Sequence, residues 1–399
     1  MAGVYGNAYC TLAALSSKNS SEGCKITSNI QASLRSPYVE IGYKENAPRI
    51  RLFKHMPRTW MEEFDGKSAE NAAETNSPLR TRAWVLQEKE LSNCTIYFAK
   101  NQLLWENQTK KASSQIPWQE IKALKPSDTP RLMYVSTKGQ IQGGSQSSWY
   151  DLVEDYTSRS LSFTGDKLVA FSGLAKMYSQ ARSQYLAGIW SKDLPTGLLW
   201  RVKCSQATRT ENLAPSWSWA SLMGAVTYDS LKMEPDKDYA HFEHPGEVYH
   251  GLKTLKVHAT RMSLEDSNKP YGDVREGRLA LSGARCIEVD CGGMKAIQFS
   301  HGGQALLRYK RPIGVFYPDI ASEAASVKKA YCIALHSESV IGLEYHGFRL
   351  KQDLAMTDMV MGIVIAKLPK CREYRRIGMA RWVDELIFDS VQPTTIELV

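Results

Sequence analysis

The spacing of apolar residues changes near residue 216, and this change limits the folds that the chain can adopt. Before it, two sets of apolar residues recur at the three- and four-residue spacing of amphipathic helices. They are Trp149, Leu152, Val153 and Tyr156, then Leu168, Phe171, Ala175 and Tyr178. After it, apolar residues alternate or form short runs, which is typical of strands. These segments are residues 217–220, 252–257, 278–281, 313–317 and 361–368. The sequence predicts an α+β fold with a helical first half and a β-rich second half.

A further helix and a hairpin are predicted in the first quarter of the chain. The dipeptide Ser77-Pro78 favours a helix start, because serine is a common N-cap and proline fits the first helical position. Leu79, Ala83 and Leu86 then give the helix one apolar face. The segments 95–98 and 102–105 follow as two predicted strands, with a tight connection at residues 100–101. Ahead of these, the stretch to about residue 11 is expected to pack through its large apolar side chains. These are Val4, Tyr5, Tyr9 and Leu12.

The charge and hydropathy patterns exclude several classes of protein. The formal net charge of +8 is spread along the chain, and no basic stripe or nucleic-acid-binding motif is present. No apolar run reaches the roughly 20 residues that span a bilayer, and the N-terminus lacks the pattern of a secretory signal. We therefore expect a soluble, cytoplasmic protein that does not bind nucleic acid and does not span a membrane.

The sequence also lacks motifs for metals, cofactors and nucleophilic catalysis. The eight cysteines form no Cys-x-x-Cys pair, and all eight are expected to be free thiols that act as small buried hydrophobic residues. The histidines at 241, 244 and 250 lie in a polar segment with a Pro-Gly turn, so a solvated loop is favoured over a zinc site. The serines at 216, 218 and 221 lack a Gly-x-Ser-x-Gly elbow. No metal, no cofactor and no catalytic residue is predicted.

Two tryptophan-containing segments are the most distinctive parts of the sequence. Residues 82–88 read Arg-Ala-Trp-Val-Leu-Gln-Glu, and residues 215–221 read Pro-Ser-Trp-Ser-Trp-Ala-Ser. Together with residues 4–14, 185–190 and 374–378, they resemble the heterokaryon-incompatibility (HET) family of filamentous fungi. The resemblance covers about the first 110 residues as the second half of that family's domain, and it implies an N-terminally truncated member.

This resemblance implies a domain organisation and sets a limit on function. It implies a truncated HET-like domain at 1–110, and the spacing of apolar residues adds a helical region at 111–215 and a β-rich region at 216–399, with remnant HET strands packed on the β-rich half. The HET domain is thought to resemble the Toll/interleukin-receptor fold, some members of which cleave NAD. The opening strands that such chemistry needs are not found in this sequence, and Ala83 stands where the family usually has glycine.

Six large or charged residues from these segments are candidates for a substrate pocket. They are Arg82, Trp84, Tyr185, Trp190, Trp217 and Trp219. Trp217 and Trp219 are expected on one face of a strand, where they line either a pocket or a core layer. Arg82 and Trp84 are expected on a helix, where the alternative to a ligand site is a set of contacts with the neighbouring hairpin. Glu154-Asp155 is expected to be ordinary helix surface.

Two functions from different classes fit this sequence. In the first, a HET relative has been diverted to specialised metabolism as a cofactor-free cyclase or isomerase, which folds an apolar substrate into its reactive shape in an aromatic pocket. In the second, the protein acts in heterokaryon incompatibility and programmed cell death through contacts with a protein partner. The absent front half of the domain favours the first, which is the function we expect from the sequence, and the family's usual role favours the second as the alternative.

Overall fold

The computed structural model of the chain contains two compact units, which we call unit 1 (residues 1–143) and unit 2 (residues 144–399). It describes residues 2–24, 38–41, 50–53, 77–99, 103–107, 111–113, 134–135, 141–142, 146–179, 183–203, 206–210, 213–228, 255–290, 305–309, 311–327, 329–341, 344–345, 348–349, 356–369, 371–384 and 386–399. Helices and a large share of strands are both present, so the predicted α+β class is confirmed. None of the described helices is long and apolar enough to cross a membrane. The three-part division of the chain stays a prediction.

Unit 1 has two described helices, α1 (Ala2–Asn7) and α2 (Ala83–Leu91). Its described strands are β1 (Thr11–Ala13), β2 (Tyr38–Ile41), β3 (Ile50–Phe53), β4 (Cys94–Phe98), β5 (Leu103–Asn107), β6 (Lys111–Ser113), β7 (Tyr134–Val135) and β8 (Ile141–Gln142). The strands β1, β4, β5 and β6 form a sheet in that order, in which β1 runs parallel to β4 and the other neighbours are antiparallel. The predicted hairpin is confirmed as β4 and β5, and its connection lies outside the described residues.

The start of α2 differs from the prediction. The helix begins at Ala83 with Arg82 as its N-cap residue, so the cap predicted at Ser77 is wrong. The hydroxyl of Ser77 donates instead to the backbone oxygen of Leu15, 62 positions earlier in the chain. Residues 78–81 form a turn, in which the backbone N–H of Arg80 donates to the backbone oxygen of Ser77 at 3.0 Å, and the helix starts only after it.

The first segment of unit 1 packs through only one of the four large apolar residues predicted to hold it. Tyr5 hydrogen-bonds Glu88 of α2, and burial together with this carboxylate raises the pKa of Tyr5 to about 12. Val4, Tyr9 and Leu12 are instead 67%, 96% and 63% exposed. The expectation that these three side chains pack is wrong. We refer to these three exposed apolar residues, Val4 on α1, Tyr9 between α1 and β1, and Leu12 on β1, together as the edge surface.

Unit 2 opens with the two predicted amphipathic helices, which are confirmed as α3 (Gln146–Thr157) and α4 (Val169–Tyr178). Two short helices follow later, α5 (Ala321–Ser326) and α6 (Leu386–Asp389). Single 3-10 turns lie at Thr164–Asp166, Ser191–Asp193, Thr196–Leu198 and Trp219–Ser221. Short two-stranded ladders join β9 (Tyr185–Leu186) with β10 (Ile189–Trp190), β11 (Arg201–Val202) with β14 (Val226–Thr227), and β12 (Thr208–Arg209) with β13 (Leu222–Met223).

A nine-stranded sheet makes up the rest of unit 2, as the β-rich prediction requires. Its strands are β15 (Lys256–Leu264), β16 (Val274–Ala284), β17 (Cys286–Val289), β18 (Ala305–Tyr309), β19 (Arg311–Pro318), β20 (Ala330–Ile341), β23 (Met356–Lys367), β24 (Tyr374–Asp384) and β25 (Thr394–Leu398), with a small β21 (Glu344–Tyr345) and β22 (Phe348–Arg349) ladder apart. The order is β15, β16, β25, β24, β23, β20, β17, and β19 links β24 to β18. Phe316, Val364 and Phe388 belong to the core that packs on this sheet.

The segment 217–220 is not a strand, which corrects the prediction from its alternating tryptophans. It forms turns and then the 3-10 turn at Trp219–Ser221. The hydroxyl oxygen of Ser218 accepts from the backbone N–H of Ala220, and the same hydroxyl donates to the backbone oxygen of Ala187. A serine that bonds its own backbone two residues on competes with strand pairing.

Candidate functional site

Four of the six predicted pocket residues belong to unit 2, where Trp190, Trp217 and Trp219 are completely buried and Tyr185 is half-buried. Tyr185 and Trp190 flank the turn between β9 and β10, with ring centroids 5.1 Å apart. Trp149 of α3 contacts both of them, at 5.3 Å from Trp190 and 6.2 Å from Tyr185. Phe171 of α4 then lies between Trp149 and Trp219, at 5.1 Å and 5.5 Å. We call these five residues the aromatic cluster, and edge and tilted ring pairs of this kind add stability beyond apolar burial.

The backbone oxygen of Gly188 joins two indoles of the aromatic cluster. It accepts from Nε1 of Trp149 at 3.2 Å and from Nε1 of Trp219 at 3.0 Å. The turn that presents this oxygen has positive φ at both Ala187 (46°) and Gly188 (99°), as a two-residue hairpin turn requires. Two buried N–H donors are therefore satisfied by one carbonyl that the turn holds in place.

Trp217, the fourth of these predicted residues, connects to the large sheet instead. Its Nε1 donates to the backbone oxygen of Gly277 in β16 at 3.3 Å, and its own backbone oxygen accepts from Nε1 of Trp200 at 3.0 Å. Trp217 and Trp219 are both completely buried. Trp217 and Trp219 are therefore both core residues, but they contact different parts of the unit. They do not lie together on one face of a strand.

Two polar atoms of the aromatic cluster differ from these indoles in their hydrogen bonding. The hydroxyl of Tyr185 and Nε1 of Trp190 are buried, and neither has a hydrogen-bond partner within the part of the chain that the structure describes. Burial raises the pKa of the Tyr185 hydroxyl, so it stays a protonated donor at neutral pH. A buried donor without an acceptor costs free energy, and such donors are suited to a carbonyl or ether oxygen of a bound molecule.

Arg82 and Trp84, the remaining two predicted residues, belong to unit 1. Arg82 is exposed at the N-cap of α2, and Trp84 is half-buried one residue into the helix. Glu88 on the same helix bonds Tyr5 of α1. The bond between Glu88 and Tyr5 joins α2 to the helix α1. The alternative predicted from the sequence was that side chains of α2 contact the neighbouring hairpin.

A buried ion pair that the sequence did not single out lies beside Trp200. Arg376 of β24 donates from Nε and Nη2 to the two carboxylate oxygens of Asp319, both at 3.0 Å, and neither side chain is exposed. The guanidinium also donates to the backbone oxygens of Leu198 and Trp200. Its Cζ lies 3.5 Å from the centroid of the Trp200 ring. The bidentate, fully bonded geometry is the one that a buried pair needs.

A buried lysine is the second group that was missed. Lys167 donates to the backbone oxygens of Leu222 and, at 3.5 Å, Trp219. Its Nζ lies 5.6 Å from the centroid of the Trp219 ring. Burial lowers the pKa of this ammonium to about 7. The residues around Lys167 in the sequence do not indicate its burial, because many surface lysines also precede an apolar helix.

We expect Lys167 to make the stability of unit 2 rise with pH. The lysine pKa is near 10.5 without burial and about 7 in the folded chain, so between these values the unfolded chain binds a proton that the folded chain has released. The free energy of unfolding then increases with pH across this window, and the whole cost of a buried ammonium is present below pH 7. Relative to Lys167→Met, the wild type should gain about 1 kcal/mol per pH unit.

Urea unfolding of both proteins at pH 7, 8 and 9 measures this gain. Lys192→Met is the matched control, since Lys192 is an exposed lysine of the same unit. A difference between wild type and Lys167→Met that stays constant over the three pH values would contradict the expectation.

Three other predictions concerned the histidine cluster, Glu154 and metal binding. The histidines at 241, 244 and 250 lie outside the described residues. Glu154 is not ordinary surface, because one of its carboxylate oxygens accepts from the hydroxyl of Thr227 and the backbone N–H of Tyr228, at 3.1 Å and 2.6 Å. Within the described residues, no three His, Cys, Asp or Glu side chains are grouped to hold a metal ion.

Comparison with known protein families finds a similarity in the first part of the chain. Residues 1–88 match the family model described as Heterokaryon incompatibility protein (HET). The match confirms the HET resemblance, over a shorter segment than the 110 residues predicted for it. No curated protein and no solved structure matches the chain.

Proposed function

We propose that this chain, whose residues 1–88 carry HET-family sequence, acts in heterokaryon incompatibility, the fungal non-self recognition that ends in cell death. The family match is the observation that carries the proposal. In this role the protein works in the cytoplasm through contact with another protein and needs no cofactor.

The edge surface supports a role in protein contact. Val4, Tyr9 and Leu12 are the exposed large apolar residues among those that the structure describes in unit 1, and all three lie within the segment that matches the family. Leu12 is the middle residue of β1, which has β4 as its one neighbour in the described sheet. An edge strand with exposed apolar side chains is a surface on which another strand can pair. We assign this surface to an apolar strand of a partner protein.

The packing of unit 2 supports the same proposal. Trp149, Trp217 and Trp219 are buried and donate their indole N–H groups to backbone oxygens. These three rings therefore pack in the interior of unit 2. We propose that the apolar surface that binds the partner is the edge surface of unit 1.

Leu12→Lys is expected to abolish the cell-death activity without unfolding the protein. A lysine at this position would bring an unpaired charge into the apolar contact, and about 1.4 kcal/mol of lost binding is already a tenfold loss of affinity. The test expresses wild type and variant in a filamentous fungus and counts dying cells after hyphal fusion with strains of other incompatibility types.

Phe163→Lys is the matched control, because Phe163 is an exposed apolar residue of unit 2. It should kill fusion cells as the wild type does. Healthy fusion cells with wild-type protein in every pairing would refute the proposal. Equal killing by Leu12→Lys and wild type would refute the role of the edge surface.

The second candidate is a cofactor-free cyclase or isomerase that acts on an apolar substrate in specialised metabolism. The Tyr185 hydroxyl and Trp190 Nε1, which have no hydrogen-bond partner among the described residues, favour it, because a donor aimed at a substrate carbonyl activates it electrostatically. Surrounding rings such as Trp149 would hold the folded substrate. Arg82, Trp84 and Trp217 have no role that the described contacts support in this reaction.

Deletion of the gene, followed by metabolite profiling of the culture, tests this second function. Loss of one compound with accumulation of its uncyclised precursor is the expected result. Reintroducing Tyr185→Phe should lower conversion by about 100-fold, the usual effect of one lost donor, while Tyr331→Phe in β20 should restore it fully. An unchanged metabolite profile after deletion would refute the cyclase.

A further inference from the structure

Two cysteines lie side by side where β1 meets β4 in unit 1. Thr11 pairs with Thr95 in this parallel ladder, and Cys10 and Cys94 each come directly before one of these threonines. Neighbouring positions on adjacent strands are about 5 Å apart, and a disulfide joins Cα atoms about 4.4–6.8 Å apart. The strand register therefore sets the backbone separation that a disulfide requires.

The two side chains share the more open face of the sheet. Burial alternates along β4, where Thr95 and Tyr97 are buried and Cys94 and Ile96 are half-buried. Cys10 is also half-buried, and both cysteines are free thiols. A small oxidant can thus reach either sulfur, unlike that of a fully buried cysteine.

Cys10 and Cys94 are close enough to affect each other electrostatically. Burial, followed by the neighbouring Cys94 thiol, raises the pKa of Cys10, and the Cys10 thiol donates to the backbone oxygen of Thr11 at 3.7 Å. The indole Nε1 of Trp105, on the next strand β5, donates to Sγ of Cys94 at 3.0 Å. This indole fixes the position of one sulfur and can stabilise negative charge that develops on it during thiol exchange.

We propose that Cys10 and Cys94 form a reversible disulfide that links β1 to β4 under oxidising conditions. With a small-molecule disulfide such as oxidised glutathione, one cysteine thiolate attacks it, forms a mixed disulfide and releases one glutathione thiolate. The second cysteine thiolate then attacks the protein sulfur of the mixed disulfide and releases the other. The two cysteine protons end on the two glutathiones, so the protein loses two electrons and glutathione gains them.

The bond would change how unit 1 is held together. It would attach α1 and β1 covalently to the segment of α2 and β4, which follows them by about 80 residues, and a closure of that length restricts the unfolded chain strongly. The oxidised protein should therefore unfold at a temperature about 5 °C or more above that of the reduced protein. The expectation that the cysteines are small buried residues is wrong for most of those that the structure describes. Cys332 is buried, Cys24 is exposed, and Cys10, Cys94, Cys286 and Cys371 are half-buried.

Peptide mapping of the full chain tests the proposal directly. The protein is equilibrated in reduced and oxidised glutathione at several ratios, blocked with N-ethylmaleimide and digested with trypsin. Cys10, Cys24 and Cys94 fall in separate tryptic peptides, 1–18, 19–25 and 90–100. A dithiothreitol-sensitive link between peptides 1–18 and 90–100 is expected, together with the rise in unfolding temperature.

Cys24→Ser is the matched control, since Cys24 is exposed in the same unit, and it should keep both the link and the temperature shift. Cys10→Ser and Cys94→Ser should each lose both. Linkage of Cys24 to either cysteine in preference to the proposed pair, or glutathione adducts on Cys10 and Cys94 without a link, would overturn the proposal. The mapping uses the wild-type chain, so it decides the matter even if a variant fails to fold.

Discussion

Replacing Arg376 by methionine is expected to lower the free energy of unfolding of unit 2 by about 3–5 kcal/mol. The change leaves the carboxylate of Asp319 buried without its cation. It also removes the donors to the backbone oxygens of Leu198 and Trp200. Methionine keeps an unbranched apolar chain against the Trp200 ring, so most of the loss is electrostatic. Urea unfolding followed by far-ultraviolet circular dichroism measures it.

Two comparisons isolate the cause of this loss. Arg275→Met makes the same change in an exposed pair with Glu265, and it should leave the unfolding midpoint unchanged within error. The double variant Arg376→Met with Asp319→Leu should be more stable than Arg376→Met alone, because it also removes the uncompensated charge. If Arg376→Met is as stable as Arg275→Met, the buried pair does not hold unit 2 together.

Gly188→Ala is expected to cost about 3 kcal/mol of stability. The residue has a φ of 99°, where a side chain adds backbone strain of order 1–3 kcal/mol. A Cβ would also lie 2.6 Å from ring atoms of Trp219, and overpacking of this kind typically adds about 1–3 kcal/mol. Movement of the turn would in addition disturb the oxygen that accepts from both indoles. Thermal and urea unfolding measure the loss.

Gly165→Ala is the matched control, because a Cβ at Gly165 would have no atom within 4 Å. It should change stability little. Combining Gly188→Ala with Trp219→Phe should cost less than the sum of the two single changes, since the smaller ring relieves the close contact. Strictly additive losses would show that the contact between Gly188 and Trp219 is not the source.

Local spacing was enough to predict the elements that local interactions build. α3 and α4 follow from their apolar stripes, and the pair β4 and β5 follows from its alternation. The segment 217–220 was predicted as a strand because alternation by itself does not distinguish a strand from turns in which two large side chains are buried. The hydrogen bonds of Ser218 decide between them, and one of its partners is 31 positions away.

The candidate site was predictable only in part, for the same physical reason. Large aromatic residues gather in an interior because of their size, so Tyr185, Trp190 and Trp219 could be grouped from the sequence alone. Arg376 was not singled out from the sequence, and its burial depends on a carboxylate 57 positions away. No local spacing encodes such a partner.

The order of strands in the large sheet has a consequence for how the chain is made. β16 pairs on one side with β15, its neighbour in sequence, and on the other with β25, which follows more than a hundred residues later. During synthesis on the ribosome, the hairpin of β15 and β16 is made before β25. Until β25 has been synthesised, one edge of β16 remains unpaired. Folding of unit 2 should therefore be slow and should be completed only after β25 is made. The unpaired edge of β16 is the place where aggregation can compete with folding.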